Sequence, residues 1–468
     1  MNLPPPRLAL PVLTALAAMA ALAAFWLWRP EAGLHPRMPG TDLPPEMQGA
    51  ASLQNPVLAG KAIPGAGEPA LLPGSWPGFR GPNRDAKSPE AAPLARSWPA
   101  SGPRALWSVE AGEGYAGVAV LAGRVYLMDY ARESHESVLR CLSLADGREI
   151  WRYAYPLSVK RNHGVTRTVP AVTEKCVVAI DPKCNVLCVD AATGALRWGM
   201  NLVREFGTTV PPWYAGQCPL IDGNTAVLAP GGPEVLLTAV DIETGKALWK
   251  TPNPRGWKMT HSSVVAMEFA GRRMFVYCGS GGVVGVDARD GAILWDTTDW
   301  KINIATVATP IPLADGRIFF SGGYNAGSLM LQLSEEGGKL VAKTVFKVGQ
   351  NVFGATQQTP ILHKERIFGI RPDGQLACID LDGKPVWASG SKLQFGLGPL
   401  LMAGGFLYAM NDTGRLCLFE ASPGQCIPLA QADVFEEGHE CWGPMALAGG
   451  RLIVRDFTRI LCLDVAGK

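Results

Sequence analysis

The chain has 468 residues, with 43 Lys and Arg against 41 Asp and Glu, a formal net charge of +2. A balance this close to zero provides no basic field, so the composition argues against a nucleic-acid partner. Charged residues make up only 18% of the chain, whereas glycine (54) and proline (38) are abundant. Such a composition favours many short strands joined by tight turns over a disordered chain or a coiled coil.

The first predicted element is an uncharged apolar run of 21 residues from Leu8 to Trp28. As a helix it is long enough to cross a hydrocarbon core of about 30 Å, and its terminal tryptophans suit a membrane interface. We therefore expect residues 1–28 to be a signal anchor in the inner membrane, with the rest of the chain in the periplasm. The alternative is a signal peptide cleaved at the A-x-A sequence of residues 18–20, which would release the protein into the periplasm.

Residues 29–75 carry nine prolines and little apolar periodicity. Such a segment buries too little apolar surface to offset its ordering entropy, so we expect a disordered tether. Globular structure is expected to begin near Trp76, with residues 76–102 forming a leader that packs on the domain after it.

The rest of the chain repeats one pattern, in which a glycine is followed four residues later by a tryptophan at the end of an apolar run. The copies end at Trp151, Trp198, Trp249, Trp295 and Trp387. Successive tryptophans are 47, 51 and 46 residues apart, and the last gap of 92 is twice 46. A strand-rich repeat of this length is typical of a four-stranded blade of a β-propeller.

Superposing the repeats gives eight units, and the two ends of the chain complete one another. Units five and seven keep the turn glycine but carry Ala342 and Pro428 at the expected tryptophan position. The eighth unit stops at Lys468, before its tryptophan strand, while residues 102–107 copy that strand ahead of the first unit and end at Trp107. Strand exchange of this kind removes the free edges of an open sheet.

The predicted fold is therefore all-β. We expect residues 103–468 to form an eight-bladed β-propeller of four-stranded antiparallel blades, closed by an N-terminal strand and preceded by one N-terminal hydrophobic helix. The six tryptophans at the shared position are expected to dock blades rather than to hold a cofactor, because large rings at a fixed place in each blade contribute burial and registry. They are Trp107, Trp151, Trp198, Trp249, Trp295 and Trp387.

The eleven cysteines show no metal or haem pattern. Five of them share one repeat position that elsewhere holds Ala239 or Gly285, which indicates a tight buried slot. The chain has no C-x-x-C, no C-x-x-C-H and no zinc spacing, so no metal site is predicted. A disulfide between Cys176 and Cys184, or between Cys184 and Cys188, stays open.

Candidate binding residues lie at the mouth of the central channel, where propellers usually take ligands. The innermost strands carry a recurring proline, and the residues three positions before it form a predicted ring. That ring contains Tyr115, Arg167, Gly216, His261, Val307, Gln357, Gly396 and Cys441. With their neighbours they give the candidate ligand residues Tyr115, Arg167, Trp213, His261, Gln357, Glu440 and Trp442. Arg167 is suited to a carboxylate or phosphate, although these groups could instead satisfy one another or water.

The repeat signature, apolar-D-x-x-T/D-G-x-x-L-W, resembles the PQQ-type propeller repeat of quinoprotein dehydrogenases and of BamB-type assembly factors. The leader from Trp76 to Asp85 is similar to the W-x-x-F-R-G-P-x-R-D opening of exported bacterial propellers that resemble PQQ-binding proteins. The resemblance covers residues 76–468 and implies the fold, with PQQ as a possible cofactor. The dehydrogenases it implies carry adjacent cysteines, a calcium site and often a haem motif, and none of these is found in this sequence.

These observations favour a membrane-tethered, exported, non-catalytic propeller that binds a protein or small molecule, and no catalytic residue is assigned. Two alternatives stay open. One is a quinoprotein-like oxidoreductase with a divergent site. The other is a propeller that binds a small polar or carbohydrate ligand in its central channel.

Overall fold

The computed structural model describes residues 14, 16–23, 55–90 and 93–467. Residues 16–23 are helical, and within these ranges no helix combines the length and apolarity that a membrane span requires. Most of the apolar run and the tether up to residue 54 lie outside the described residues. The remaining helices are a 3₁₀ turn at Pro56–Ala59 and an α-helix at Leu202–Phe206.

The structure is an eight-bladed β-propeller, as predicted, and three strands precede the first blade in the chain. They are β1 (Lys61–Pro64), β2 (Lys87–Ser88) and β3 (Ala105–Glu110). Blade 1 contains β4 (Val118–Leu121), β5 (Arg124–Ala131), β6 (Glu136–Ser143) and β7 (Glu149–Pro156). Blade 2 contains β8 (Ala171–Val172), β9 (Cys176–Ile180), β10 (Asn185–Asp190) and β11 (Leu196–Asn201). Blade 3 contains β12 (Leu220–Asp222), β13 (Thr225–Leu228), β14 (Val235–Asp241) and β15 (Ala247–Pro252).

The remaining blades follow the same order from the innermost to the outermost strand. Blade 4 contains β16 (Val265–Phe269), β17 (Arg272–Gly279), β18 (Gly282–Asp287) and β19 (Ile293–Thr297). Blade 5 contains β20 (Ile311–Pro312), β21 (Arg317–Gly322), β22 (Gly327–Glu336) and β23 (Lys339–Val348). Blade 6 contains β24 (Ile361–His363), β25 (Arg366–Ile370), β26 (Leu376–Asp380) and β27 (Pro385–Ala388). Blade 7 contains β28 (Leu400–Ala403), β29 (Phe406–Met410), β30 (Arg415–Glu420) and β31 (Ile427–Asp433).

Blade 8 is completed by the N-terminal strand, which confirms the predicted closure. Its innermost strands are β32 (Ala446–Ala448), β33 (Arg451–Arg455) and β34 (Arg459–Asp464), and β3 pairs antiparallel with β34 as the outermost strand. Trp107 lies opposite Cys462 in this pair, as Trp151 lies opposite Cys141 in blade 1. The same register at the two positions places the first and last parts of the chain in one sheet.

Four of the six repeated tryptophans join a blade to the next one through the indole N–H: Trp107, Trp151, Trp198 and Trp249. Trp295 instead donates to Met274 of its own blade, and the Trp387 N–H has no partner among the described residues. The Trp107 indole N–H donates to the Leu144 carbonyl at 3.0 Å, and the Trp198 indole donates to Ile242 at 2.8 Å. The ring also covers the turn glycine of the following blade, since a Cβ added at Gly147 would lie 2.9 Å from the Trp107 ring. The glycine–tryptophan spacing therefore records a contact between neighbouring blades, and burial of the ring stabilises it by several kcal/mol in order of magnitude.

Blades 5 and 7 correct the expected register of the repeat. Their outer hairpins place Phe346 opposite Met330 and Gln431 opposite Cys417, at the position that tryptophan occupies elsewhere. Ala342 does not occupy it, because β22 and β23 of blade 5 extend to ten residues each and the offset from the turn glycine changes. Pro428 of blade 7 lies opposite Phe419 instead, two residues beyond Cys417 on β30. Phe346 covers the turn glycine Gly383 of blade 6, so an aromatic ring still docks these two blades.

The expected start of globular structure at residue 76 is too late. Residues 55–75 lie on the propeller, where β1 adds an outer strand to β7 of blade 1. Val57 is fully buried, and its carbonyl accepts a hydrogen bond of 2.7 Å from the Tyr153 hydroxyl. The prolines are compatible with this because an edge strand needs few donors, and the outer strand of a blade offers unpaired backbone groups. All eleven cysteines are free thiols, so neither of the two possible disulfides is present.

Candidate ligand site at the channel mouth

All innermost strands run in the same direction along the channel, so the channel has two chemically different ends. The residues just before these strands lie at one end of the channel. The C-terminal ends of the strands, with the residues that follow them, lie at the other end. The first part of the leader, residues 76–90, lies across the second end. It bonds to the innermost strands of five blades: Trp76 with Val120, Pro77 with Val172, Arg84 with Ile221, Lys87 with Leu362 and Ala86 with Met402. In a sixth blade Glu90 accepts from the Gly449 N–H, just after the innermost strand.

Arg80 is the central anchor of the leader. Its side chain is buried, and three of its nitrogens donate to backbone carbonyls: Nη1 to Thr359 at 2.8 Å, Nη2 to Pro360 at 2.9 Å and Nε to Arg84 at 3.2 Å. Burial lowers the pKa of Arg80 to about 10, so the guanidinium still carries its charge at neutral pH. Because these donors end on protein carbonyls, Arg80 fixes the leader and closes this end of the channel.

The opposite end holds a cavity of about 300 Å³. Six of the seven candidate ligand residues line it, namely Tyr115, Arg167, Trp213, His261, Gln357 and Trp442. Phe79 of the leader also contacts this cavity, together with the space beneath it, and so forms its floor. The cavity is therefore open at the mouth and closed below.

Glu440, the seventh candidate, lies outside the cavity lining and acts through Tyr115. The Tyr115 hydroxyl donates to Glu440 Oε2 at 2.5 Å and accepts from the Gly164 N–H at 3.3 Å. Burial, with the Glu440 carboxylate adding to it, raises the pKa of Tyr115 well above its ordinary value. The Tyr115 ring packs against Trp442 with ring centroids 5.1 Å apart, so both rings are held as one aromatic wall.

Arg167 is the one arginine among the residues that line the cavity. Its guanidinium lies 5.3 Å from the centroid of the Tyr115 ring, and its Nη1 donates to the carbonyls of Gly164 at 2.6 Å and Val165 at 3.4 Å. No salt bridge within the described part of the chain involves Arg167, and the Glu440 carboxylate partly offsets the effect of burial on its pKa. Burial lowers the pKa of Arg167 to about 10, which leaves it charged at neutral pH.

His261 lies on the opposite wall, next to Trp213, with ring centroids 6.4 Å apart. Its Nε2 is buried and has no hydrogen-bond partner within the described residues. Burial, with the Arg167 charge adding to it, lowers the pKa of His261 to about 4, so the ring is neutral at neutral pH. A glycine is required beside it, because a Cβ added at Gly216 would lie 2.4 Å from His261 Cδ2.

Two members of the predicted ring, Gly396 and Cys441, do not line the cavity. Cys441 is fully buried, and Gln358 of blade 6 reaches past blade 7 to donate to the Trp442 carbonyl at 2.7 Å. Trp442 is fixed over this region by a 2.6 Å hydrogen bond from its indole N–H to Asp412. The lining residues missed as ligand candidates include Phe79, Tyr324 and Gln358, besides the small side chains of Cys218 and Ala305. His163 also lines the cavity.

The side chains at the mouth do not fit a metal-assisted quinone site. No Asp or Glu lines the cavity, and nowhere in residues 55–90 and 93–467 do three His, Cys, Asp or Glu side chains cluster to hold a metal ion. The nearest carboxylates, Glu440 and Asp412, are already engaged by Tyr115 and Trp442. The donor set is instead one guanidinium with amide, indole and imidazole groups.

The sequence carries a family match across its repeats. A family model described as outer membrane protein assembly factor BamB matches residues 134–389, more than half of the chain. The chain belongs to this BamB family. No curated protein matches the sequence.

Several solved structures share the propeller fold of this BamB-family chain. BamB from Moraxella catarrhalis is 14% identical with a TM-score of 0.52, covering 77% of this chain and 96% of its own. A europium-containing methanol dehydrogenase is 13% identical with a TM-score of 0.56, covering 82% and 89%. The computationally designed protein Ika8 is 12% identical with a TM-score of 0.51, covering 77% and 100%. At such identities the likeness shows the fold alone, because one fold serves binding, catalytic and designed proteins.

Proposed function

We propose that this protein is a non-catalytic binding propeller that takes a small ligand at the open mouth of its channel. The observation that carries the proposal is the asymmetry of the channel. The leader closes one end, while the other holds a cavity of about 300 Å³ whose wall includes a charged arginine without an ion pair. Concave sites with aromatic walls and a few polar groups are the usual form of small-molecule sites.

The proposal is tested by the small molecules that remain bound to protein purified from its native host. A molecule released on denaturation in amounts near one per chain is expected in the wild type and absent from Val307→Trp, which fills the cavity with an indole. Val345→Trp is the matched control, because Val345 is exposed on the outer strand β23, away from the cavity. Mass spectrometry that finds the same small molecules in all three proteins, or none in any, would contradict the proposal.

We also propose that the propeller is exported and tethered in the inner membrane by the Leu8–Trp28 run. Support comes from the length and apolarity of that run, which suit a membrane span. Fractionation should find the full-length chain with the inner membrane, and protease added to spheroplasts should digest the propeller. A propeller in the soluble periplasmic fraction would favour the cleaved signal peptide, and one protected from protease would contradict export.

A protein partner is the second candidate occupant of this scaffold. The family description favours it, because it names an outer membrane protein assembly factor. Surface plasmon resonance with an unfolded outer-membrane β-barrel protein tests it, with the cavity-filling variant as comparison. Saturable binding that Val307→Trp leaves unchanged would place a protein site outside the channel.

The oxidoreductase alternative is tested separately by reconstitution with PQQ and calcium followed by a dye-linked dehydrogenase assay. We expect no turnover, because the mouth lacks a carboxylate cluster for the metal. Tight binding of PQQ accompanied by turnover would overturn the non-catalytic assignment.

A further inference from the structure

Arg167 is partly buried, and its donors are used differently from those of the buried Arg80 and Arg455. Its hydrogen bonds to the Gly164 and Val165 carbonyls both come from Nη1, which leaves Nη2 and Nε without a partner in the described residues. A guanidinium presents five N–H donors in a fixed fork that matches a carboxylate. Because Arg167 is only partly buried, these unused donors stay accessible, and a carboxylate that reaches them gains a charge-assisted, bidentate contact.

The rest of the cavity wall carries no negatively charged side chain that would repel an anion. Among its lining residues there is no Asp or Glu, and the Glu440 and Asp412 carboxylates are bonded to Tyr115 and Trp442. The Gln357 amide makes no hydrogen bond with the described residues, and His261 Nε2 is an orphaned buried atom at the wall. A cavity that pairs one cation with unsatisfied polar groups is complementary to a ligand with one anionic group.

The wall around Arg167 is aromatic on two sides. Tyr115 and Trp442 form one face, and Trp213 beside His261 forms the other. Flat rings of this kind favour a ligand with a flat body, because stacking adds to the burial of apolar area. The number of charges is limited as well, since a diphosphate or a polycarboxylate brings more negative charge than one guanidinium neutralises.

We infer that the channel ligand is a small monocarboxylate carried on a six-membered ring, with its carboxylate bound by Arg167 and its ring between the aromatic walls. The inference rests on the proposed function, since it assigns a chemical class to the ligand of the same cavity. A ring of this kind is found in sugar acids and in aromatic acids, and the probes below distinguish the two.

Calorimetric titration at neutral pH and low salt uses two matched pairs, glucuronate with glucose and benzoate with benzamide. We expect the acid of at least one pair to bind at least tenfold more tightly than its neutral partner, and Arg167→Gln to abolish that difference. Arg161→Gln is the matched control, because Arg161 is a rim cation that pairs with Glu113 outside the cavity lining. Arg161→Gln should leave the preference intact. If only glucuronate discriminates, the ring is a sugar; if only benzoate does, it is aromatic.

Arg167→Lys keeps the charge without the planar fork and guards against a folding defect in Arg167→Gln. It should retain part of the preference if the variant melts like the wild type. Acid and neutral probes that bind equally in the wild type, or acids that do not bind at all, would overturn the inference. The proposed function would then be judged separately by the molecule retained from the native host.

Discussion

Each end of the channel holds an arginine, the buried Arg80 at the closed end and the partly buried Arg167 at the open end, and the two are used in opposite ways. Arg80 at the closed end donates through Nη1, Nη2 and Nε to three backbone carbonyls. Arg167 at the open end uses only Nη1, and the rest of its fork borders a cavity. Burial lowers the pKa of both to about 10. A buried cation is therefore not by itself a binding group; the unused donors identify one.

The largest expected effect comes from exchanging these two arginines for alanine. Arg80→Ala should lower the free energy of unfolding by about 3 kcal/mol or more, because it leaves the Thr359 and Pro360 carbonyls unpaired and releases the leader. Arg167→Ala should lower it by about 1 kcal/mol or less, because Arg167 is only partly buried and forms hydrogen bonds through Nη1 alone. Urea unfolding measures both. Equal losses in the two variants would contradict the division between a structural and a binding arginine.

The fold could be predicted because its sequence signals are local. The closure of one channel end by the leader could not be predicted. The Trp107 copy and the turn glycines recur at fixed spacing, so hairpins and strand exchange could be counted from the sequence. The partners of Arg80 are backbone carbonyls 279 and 280 residues away, and a carbonyl carries no signature in the sequence.

The repeat position predicts where a residue stands, but not where its side chain points. It correctly placed Arg167 and His261 in one cavity, but it did not show that Glu440 would lie behind Tyr115 or that Gly396 would lie outside the cavity lining. In blade 5 a lengthened hairpin shifted the docking ring to Phe346. In each case the outcome depended on side-chain packing between different repeats.

Low pH is expected to destabilise the open end of the channel through His261. The pKa of His261 at the open end falls from 6.5 to about 4 on folding, so between those values the unfolded chain binds the additional proton. The free energy of unfolding should therefore fall as the pH drops from 6.5 toward 4, by at most about 3 kcal/mol from this residue. Above pH 6.5 this residue should not change it. Urea unfolding at pH 7.5 and pH 4.5 should show a smaller loss for His261→Gln than for the wild type.

The comparison with His261→Gln is needed because another group titrates in the same range. Burial raises the pKa of Asp181 to about 6, so its contribution changes with pH in the opposite direction. Asp181 lies between blades 1 and 2, where it accepts a hydrogen bond from Tyr155, and it is present in both proteins. Its contribution therefore cancels in the difference. Identical pH dependence in the two proteins would mean that His261 is not held neutral by the fold.

The smallest effect is expected for the hydroxyl that joins Tyr115 to Glu440. Tyr115→Phe removes a donor to Glu440 and an acceptor from the Gly164 N–H, which should cost about 1 kcal/mol of unfolding free energy. The ring that packs on Trp442 and lies under Arg167 is kept, so ligand affinity at the mouth should change less than twofold. Tyr115→Leu is the comparison, since it removes the ring and should weaken binding by at least fivefold, as calorimetric titration would measure. If Tyr115→Phe weakened binding as much as Tyr115→Leu, then the hydroxyl and Glu440, rather than the aromatic wall, would hold Arg167 in position for its ligand.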